Sequence, residues 1–133
     1  MSKMNPVVHF EIPAEDKNRM VKFYSTVFGW QTQQLGPEMG DYVVVTTAES
    51  DETGRPKMGG AINGGFYQKT GDPILNHPSV VIAVENVIES IQKIEKGGGK
   101  VLGKPMTIPG VGIYISFIDT EGNRHSILQP LEM

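Results

Sequence analysis

The run Val7-Val8-His9-Phe10-Glu11-Ile12-Pro13-Ala14-Glu15-Asp16, followed by Lys17 to Gly29 and then Trp30, decides the fold. Val7 to Ile12 reads as a strand that Pro13 closes. Residues of equal parity on a strand share a face, so His9 and Glu11 point the same way. Ala14 to Asn18 opens a helix, with Glu15 and Asp16 in the first turn, where carboxylates suit the helix dipole. Met20, Phe23, Tyr24 and Val27 recur at helical spacing and predict a buried stripe. Gly29 stands where a C-cap glycine belongs.

Further along, Trp30 to Leu35 reads as a strand before a Gly36-Pro37 turn, and Tyr42 to Thr47 as a β-branched, apolar strand. Glu49 to Lys57 is a polar hairpin loop. Met58 to Asn63 is expected as a fourth strand, its Gly59 and Gly60 marking close backbone approach. Gly64 to Pro78 reads as irregular. The plan then repeats. Ser79 to Val84 is a strand, and Asn86 is a suitable N-cap for a helix with Val87, Ile88, Ile91 and Ile94 on one face. Gly97-Gly98-Gly99 stops that helix. Lys100 to Lys104, Val111 to Ile118 and Arg124 to Leu128 are strands, and Asp119 to Asn123 is a turn with Gly122 as its left-handed residue. This is an α+β chain of two βαβββ modules, at about residues 6–65 and 79–131, joined by a linker at about 66–78. Two such sheets set edge to edge would form a cupped mixed sheet, with helices outside and a cleft inside.

A chain of 133 residues is one domain's worth. Its net charge of -3 leaves no basic footprint for nucleic acid or for an anionic membrane. Cysteine is absent, which excludes disulfides, thiolate zinc sites and cysteine nucleophiles. No apolar run approaches membrane length and the first residues carry no apolar leader core, so a cytoplasmic protein is expected. Gly59-Gly60 and Gly64-Gly65 lack the strand–loop–helix setting and the Lys-Ser/Thr ending of a phosphate loop. No Gly-x-Ser-x-Gly elbow is present.

The duplication resembles the vicinal oxygen chelate superfamily, which includes glyoxalase I, bleomycin-resistance proteins, extradiol dioxygenases and methylmalonyl-CoA epimerase. Four stretches carry the resemblance. They are Val8 to Ile12 with Asp16 after it, Phe23-Tyr24 through Phe28-Gly29-Trp30, Val80 to Val84 with Glu85-Asn86-Val87, and Phe117 to Asn123. Metal-dependent members of the superfamily use four inward positions, typically His or Gln, Glu, His and Glu. The resemblance puts the first at His9, the second among Gly60, Ala61, Ile62 and Asn63, the third at Ser79 and the fourth at Ser126. No glutamate occurs between Thr53 and Val84, so the carboxylate of the second position is missing. Serine hydroxyls and an asparagine amide are poor ligands for a divalent transition metal. No metal cofactor is therefore expected.

These residues imply a site for a small organic molecule lined by His9, Glu11, Asn63, Ser79 and Ser126. His9 is either a pocket-lining group or an acid/base. Glu11 shares its face. Asn63, Ser79 and Ser126 either orient a ligand or fill space at a module seam. His77 has the parity of Ser79, so a set of His9, Glu11 and His77 would supply two imidazoles and a carboxylate. His125 has the opposite parity to Ser126 and should face away. Trp30 either lines the cleft mouth or a dimer contact, or is a core tryptophan. The resemblance implies a homodimer, and a binding protein of the bleomycin-resistance type. The alternative is a lyase or isomerase of glyoxalase type that uses His9.

Overall fold

The computed structural model describes residues 4–131. Two compact units compose the chain, one of His9–Pro78 and one from Ser79 onward together with the residues up to Val8. The first βαβββ module is β1 (Val7–Ala14), α1 (Lys17–Phe28), β2 (Gln31–Gln34), β3 (Val43–Thr46) and β4 (Asn63–Gln68). Its strand order is β2-β3-β4-β1, with β1 parallel to β4 and the other pairs antiparallel. The second holds β5 (Ser79–Ala83), α2 (Val87–Lys96), β6 (Lys100–Ile108), β7 (Gly112–Ile118) and β8 (Arg124–Pro130). Its order, β5-β8-β7-β6, repeats the first pattern, again with one parallel pair, β5 with β8. The chain is thus α+β, two βαβββ modules, each a mixed sheet with its helix on one face.

Both helices begin on a side-chain cap. Asp16 Oδ1 accepts from Arg19 N–H at 3.0 Å, and Asn86 Oδ1 accepts from Glu89 N–H at 3.0 Å. Asp16 is therefore the cap of α1 rather than a member of its first turn. Gly29 takes the expected left-handed conformation, with φ of 72°. On β1 the even residues, Phe10 and Ile12, face the helix and join Met20, Val21, Tyr24 and Trp30 around buried Val43, Val45 and Phe66. Trp30 is thus a core residue, stacked on Tyr24 with ring centroids 4.8 Å apart. The predicted stripe is only half right. Met20 and Tyr24 pack inward, but Phe23 and Val27 stay 54% and 55% exposed, because Val21 rather than Phe23 completes the buried face. In the second module α2 sets Val87, Ile91 and Ile94 over Val84, Ile115 and Ile127.

The fourth strand needs correction. It is not Met58 to Asn63 but Asn63–Gln68, so part of the stretch expected to be irregular is a central strand. Gly60 has φ of 87° and turns the chain before the strand begins. The Gly64-Gly65 pair signals aromatic rings, not a break. A Cβ at Gly64 would lie 2.5 Å from the Phe10 ring on the helix face. One at Gly65 would overlap the hydroxyl and ring of Tyr42 on the other face. Each glycine makes room for a ring, and the strand continues through both.

Candidate functional site

In the first module the face turned away from α1 carries His9 and Glu11. Tyr42, just before β3, lays its ring over Gly65 and brings its hydroxyl to both. His9 Nε2 lies 3.1 Å from Tyr42 Oη, and Tyr42 donates to Glu11 Oε2 at 3.2 Å. A phenol has one proton, so with that proton on Glu11 the His9 Nε2–H is the donor to Tyr42. The result is a directed chain from imidazole through phenol to a buried carboxylate. Burial lowers the His9 pKa, against an opposing pull from the Glu11 charge, and the ring is neutral near pH 7.

That shift has a consequence for stability. The unfolded chain takes up a proton at His9 near pH 6.5, before the folded chain does. The unfolded state therefore binds more protons below that point. Stability is full above about pH 6.5 and falls as the pH drops through the lowered folded value. Urea unfolding at a series of pH values should show this loss in the native protein and a flatter profile in His9→Gln. Parallel profiles would mean that His9 is not held neutral by burial.

Asn63 lies across from His9 on β4, but its amide is fully engaged. Its Oδ1 accepts from Thr47 N–H at 2.8 Å, and its Nδ2 donates to Ser50 Oγ and Gly54 O at 2.9 and 3.1 Å. It clamps the β3–β4 loop and has no donor left for a ligand. In the second module Ser126 is wholly buried, with its Oγ 2.9 Å from Ser116 Oγ and donating to Tyr114 Oη at 2.7 Å. Ser126 is thus engaged on both sides, and the phenol it bonds, that of Tyr114, belongs to a half-buried residue. Ser79 is buried on the same sheet face, and its Oγ has no hydrogen-bond partner among the described residues. His125 does face away, accepting from Val80 N–H at 3.0 Å and lying beside Phe117.

The two modules superpose in register. The rung Val44–Gly65–Glu11 in the first corresponds to Ser116–Ser126–Val81 in the second. Aligning the caps Asp16 and Asn86 sets His9 on Ser79, Gly65 on Ser126, Asn63 on Arg124 and Tyr42 on Tyr114. Each module therefore aims a tyrosine hydroxyl at the same place. Sequence reading placed Tyr42, Tyr114 and Arg124 in no site, and the internal repeat, aligned residue by residue, was the signal that could have found them.

Comparison with known proteins gives the family. The model of the family "Bleomycin resistance protein-like N-terminal" matches residues 7–48. A glyoxylase-like domain-containing protein of Didymella fabae is 32% identical over 118 residues, 88% of each chain. The chain belongs to the glyoxalase-like family. Solved structures share its fold. A superfamily member from Vibrio splendidus, described as glyoxalase/bleomycin resistance protein/dioxygenase, is 14% identical with a TM-score of 0.61, covering 95% of this chain and 99% of its own. A variant of Streptomyces coelicolor methylmalonyl-CoA epimerase, in complex with 2-nitronate-propionyl-CoA, is 16% identical with a TM-score of 0.67, covering 98% of both chains.

The glyoxalase-like frame allows a test of the four metal positions. The register moves the second from residues 60–63 to Gly65, the equivalent of Ser126. No carboxylate fits there, because the Tyr42 phenol fills the space a side chain would need. The set is then His9, Gly65, Ser79 and Ser126, which does not fit a divalent transition metal. His77 is exposed and does not complete a substitute set. Among the described residues no group of three or more His, Cys, Asp or Glu is placed to hold a metal. Among them, too, no helix is long and apolar enough to cross a membrane.

Proposed function

We propose that this glyoxalase-like protein binds a small organic molecule on the face that carries His9, Tyr42 and Glu11, without a metal, and holds it rather than transforming it. One observation carries the reading: a tyrosine hydroxyl stands where the family resemblance calls for a carboxylate ligand. A neutral imidazole, a phenol and a carboxylate in series make a specific polar patch on the sheet, the kind of surface that orients a ligand. Neither an activated nucleophile nor a metal cage accompanies it among the described residues. The apolar surface of Phe23, Val27 and Phe28 on α1 supports a homodimer, and the lack of cysteine suits a cytoplasmic setting.

The second reading is a lyase or isomerase of glyoxalase type. The hydrogen-bonded series favours it, since Glu11 can take a proton and Tyr42 can give one within a single bonded unit. The deciding experiment is metal analysis of the purified protein before and after soaking in nickel, zinc, cobalt, iron and manganese, followed by a thermal-shift screen of small metabolites. Trace metal in the native protein and in His9→Ala is expected. A metabolite that raises the melting temperature should bind His9→Ala roughly tenfold more weakly, the loss of one buried hydrogen-bonding group. Stoichiometric metal that vanishes in His9→Ala would overturn the proposal, and turnover of the bound metabolite would favour the second reading.

A further inference from the structure

We infer that the outer flank of α1 pairs with itself in a second copy of the chain. The two helices meet antiparallel about a twofold axis at Phe23, and the partner's Val27 closes a pocket at the start of the helix. This rests on the homodimer reading above and places its contact. Asp16, Met20, Phe23 and Val27 recur at steps of three and four residues, so they form one stripe along α1, with Arg19 on its edge. The two ends of the stripe differ in shape. At the N-terminal end lies a pocket of about 480 Å³, whose walls include Pro13, Ala14, Met20 and Phe23 together with Arg19 and Lys69. At the C-terminal end stands Val27, 55% exposed, next to Phe28, whose ring lies 6.4 Å from that of Phe23.

A hollow and a knob on one stripe complement each other when a copy is turned end over end, which is what a twofold axis does. The register follows from that. Setting the partner's Val27 against the pocket, at the level of Arg19 and Met20, puts the axis at Phe23. Helix α1 spans 12 residues, about 18 Å, so pocket and knob lie about 11 Å apart along it. Each copy then fills the pocket of the other, and the apolar surface of Phe23 and Val27 leaves water in both.

Charge points the same way. The last turn of α1 carries no basic side chain, so the helix has no cation of its own at the negative end of its dipole. The Arg19 guanidinium has no hydrogen bond or ion pair among the described residues. Antiparallel pairing brings the partner's Arg19 to the level of Val27, inside that last turn, where a cation is favourable. The residues it meets there, Thr26 and Val27, are uncharged. A second copy therefore supplies both what the pocket lacks and what the helix end lacks. One helix face of this length covers less than the roughly 800 Å² per partner of a standard interface, so the dimer is weak, with a dissociation constant on the order of 10 µM.

Sedimentation velocity from about 1 µM to about 500 µM tests this. The native chain should show a monomer–dimer equilibrium. Val27→Lys should weaken it at least about thirtyfold, because a cation then enters the pocket beside the partner's Arg19. The same change should leave the melting temperature of the monomer level or higher, since a lysine suits the last turn of a helix. Val27→Lys/Arg19→Glu should regain the dimer to within about threefold of the native affinity, with the charges exchanged across the axis. Cross-linking checks the register, because the chain has no cysteine of its own. A mixture of Arg19→Cys and Val27→Cys should form a disulfide on oxidation much faster than either variant alone. In either variant alone the two thiols stand about 12 Å apart along the paired helices, beyond the reach of a disulfide. A dimer as tight in Val27→Lys as in the native chain, or one that the double variant does not regain, would overturn this pairing while the homodimer reading stands. A native chain that stays monomeric to the highest concentration would overturn both.

Discussion

Gly65→Ala is expected to destabilise the protein by about 3 kcal/mol, and Tyr42→Ala/Gly65→Ala to be no less stable than Tyr42→Ala alone. The added methyl would overlap the Tyr42 hydroxyl and ring. A phenol cannot bend out of the way, so the whole side chain must swing off the sheet. That breaks its bonds to His9 and Glu11 and leaves a buried carboxylate short of a donor. Overpacking costs about 1–3 kcal/mol, and a stranded buried acceptor costs about 1–3 more. With Tyr42 already removed, the methyl has nothing to strike, so the two changes are strongly coupled. Urea unfolding of both single variants and the double variant measures this. A Gly65→Ala protein within about 0.5 kcal/mol of native would show that the ring does not lie over Gly65. The same clash bears on function: installing a glutamate at 65 would not rebuild a metal site, because the phenol must first leave.

The sequence was most legible where one residue type has one physical meaning. Asn86 as a cap, Gly29 and Gly122 in left-handed conformations, and the alternation of His9 and Glu11 across β1 all follow from local rules. The twofold plan was legible because each module repeats the same order of strand, cap, helix and three strands. What failed was the meaning of Gly64-Gly65. A glycine pair reads as a break unless one knows which rings lie over it, and those rings come from Phe10 and Tyr42, far off in sequence. Misplacing that strand moved the second site position away from Gly65 and hid the correspondence of Tyr42 with Tyr114. For the same local reason the polarity of Asn63 is visible in the sequence, as a group that either orients a ligand or fills a module seam, but its engagement with Thr47, Ser50 and Gly54 is not. Nothing in the sequence around Arg124 marks its burial, since burial of a long side chain is set by the face its strand presents.

Phe66→Ala is the second large effect, an expected loss of about 3–5 kcal/mol. Phe66 is fully buried on β4, beside Gly65 but on the opposite face. Helix α1 has no fully buried residue of its own, and it is held to the sheet by Met20, Val21 and Tyr24 packed around Phe66, Val43 and Val45. Removing the ring takes away the surface on which Tyr24 rests, with ring centroids 5.5 Å apart. Tyr24 cannot drop into the gap without leaving Trp30, against which it is stacked within 10° of parallel. The cavity therefore stays open, and cavities that cannot collapse stand at the costly end of the range. Phe28→Ala is the control. Phe28 also touches Tyr24 and Trp30, but it is 60% exposed and leaves no cavity, so its loss should cost about 1 kcal/mol or less. Urea unfolding, followed by Trp30 fluorescence, compares the two. Equal losses would mean that α1 is held by its outer aromatic edge, and the face assigned to the helix on β1, β3 and β4 would have to be exchanged with the face assigned to the ligand.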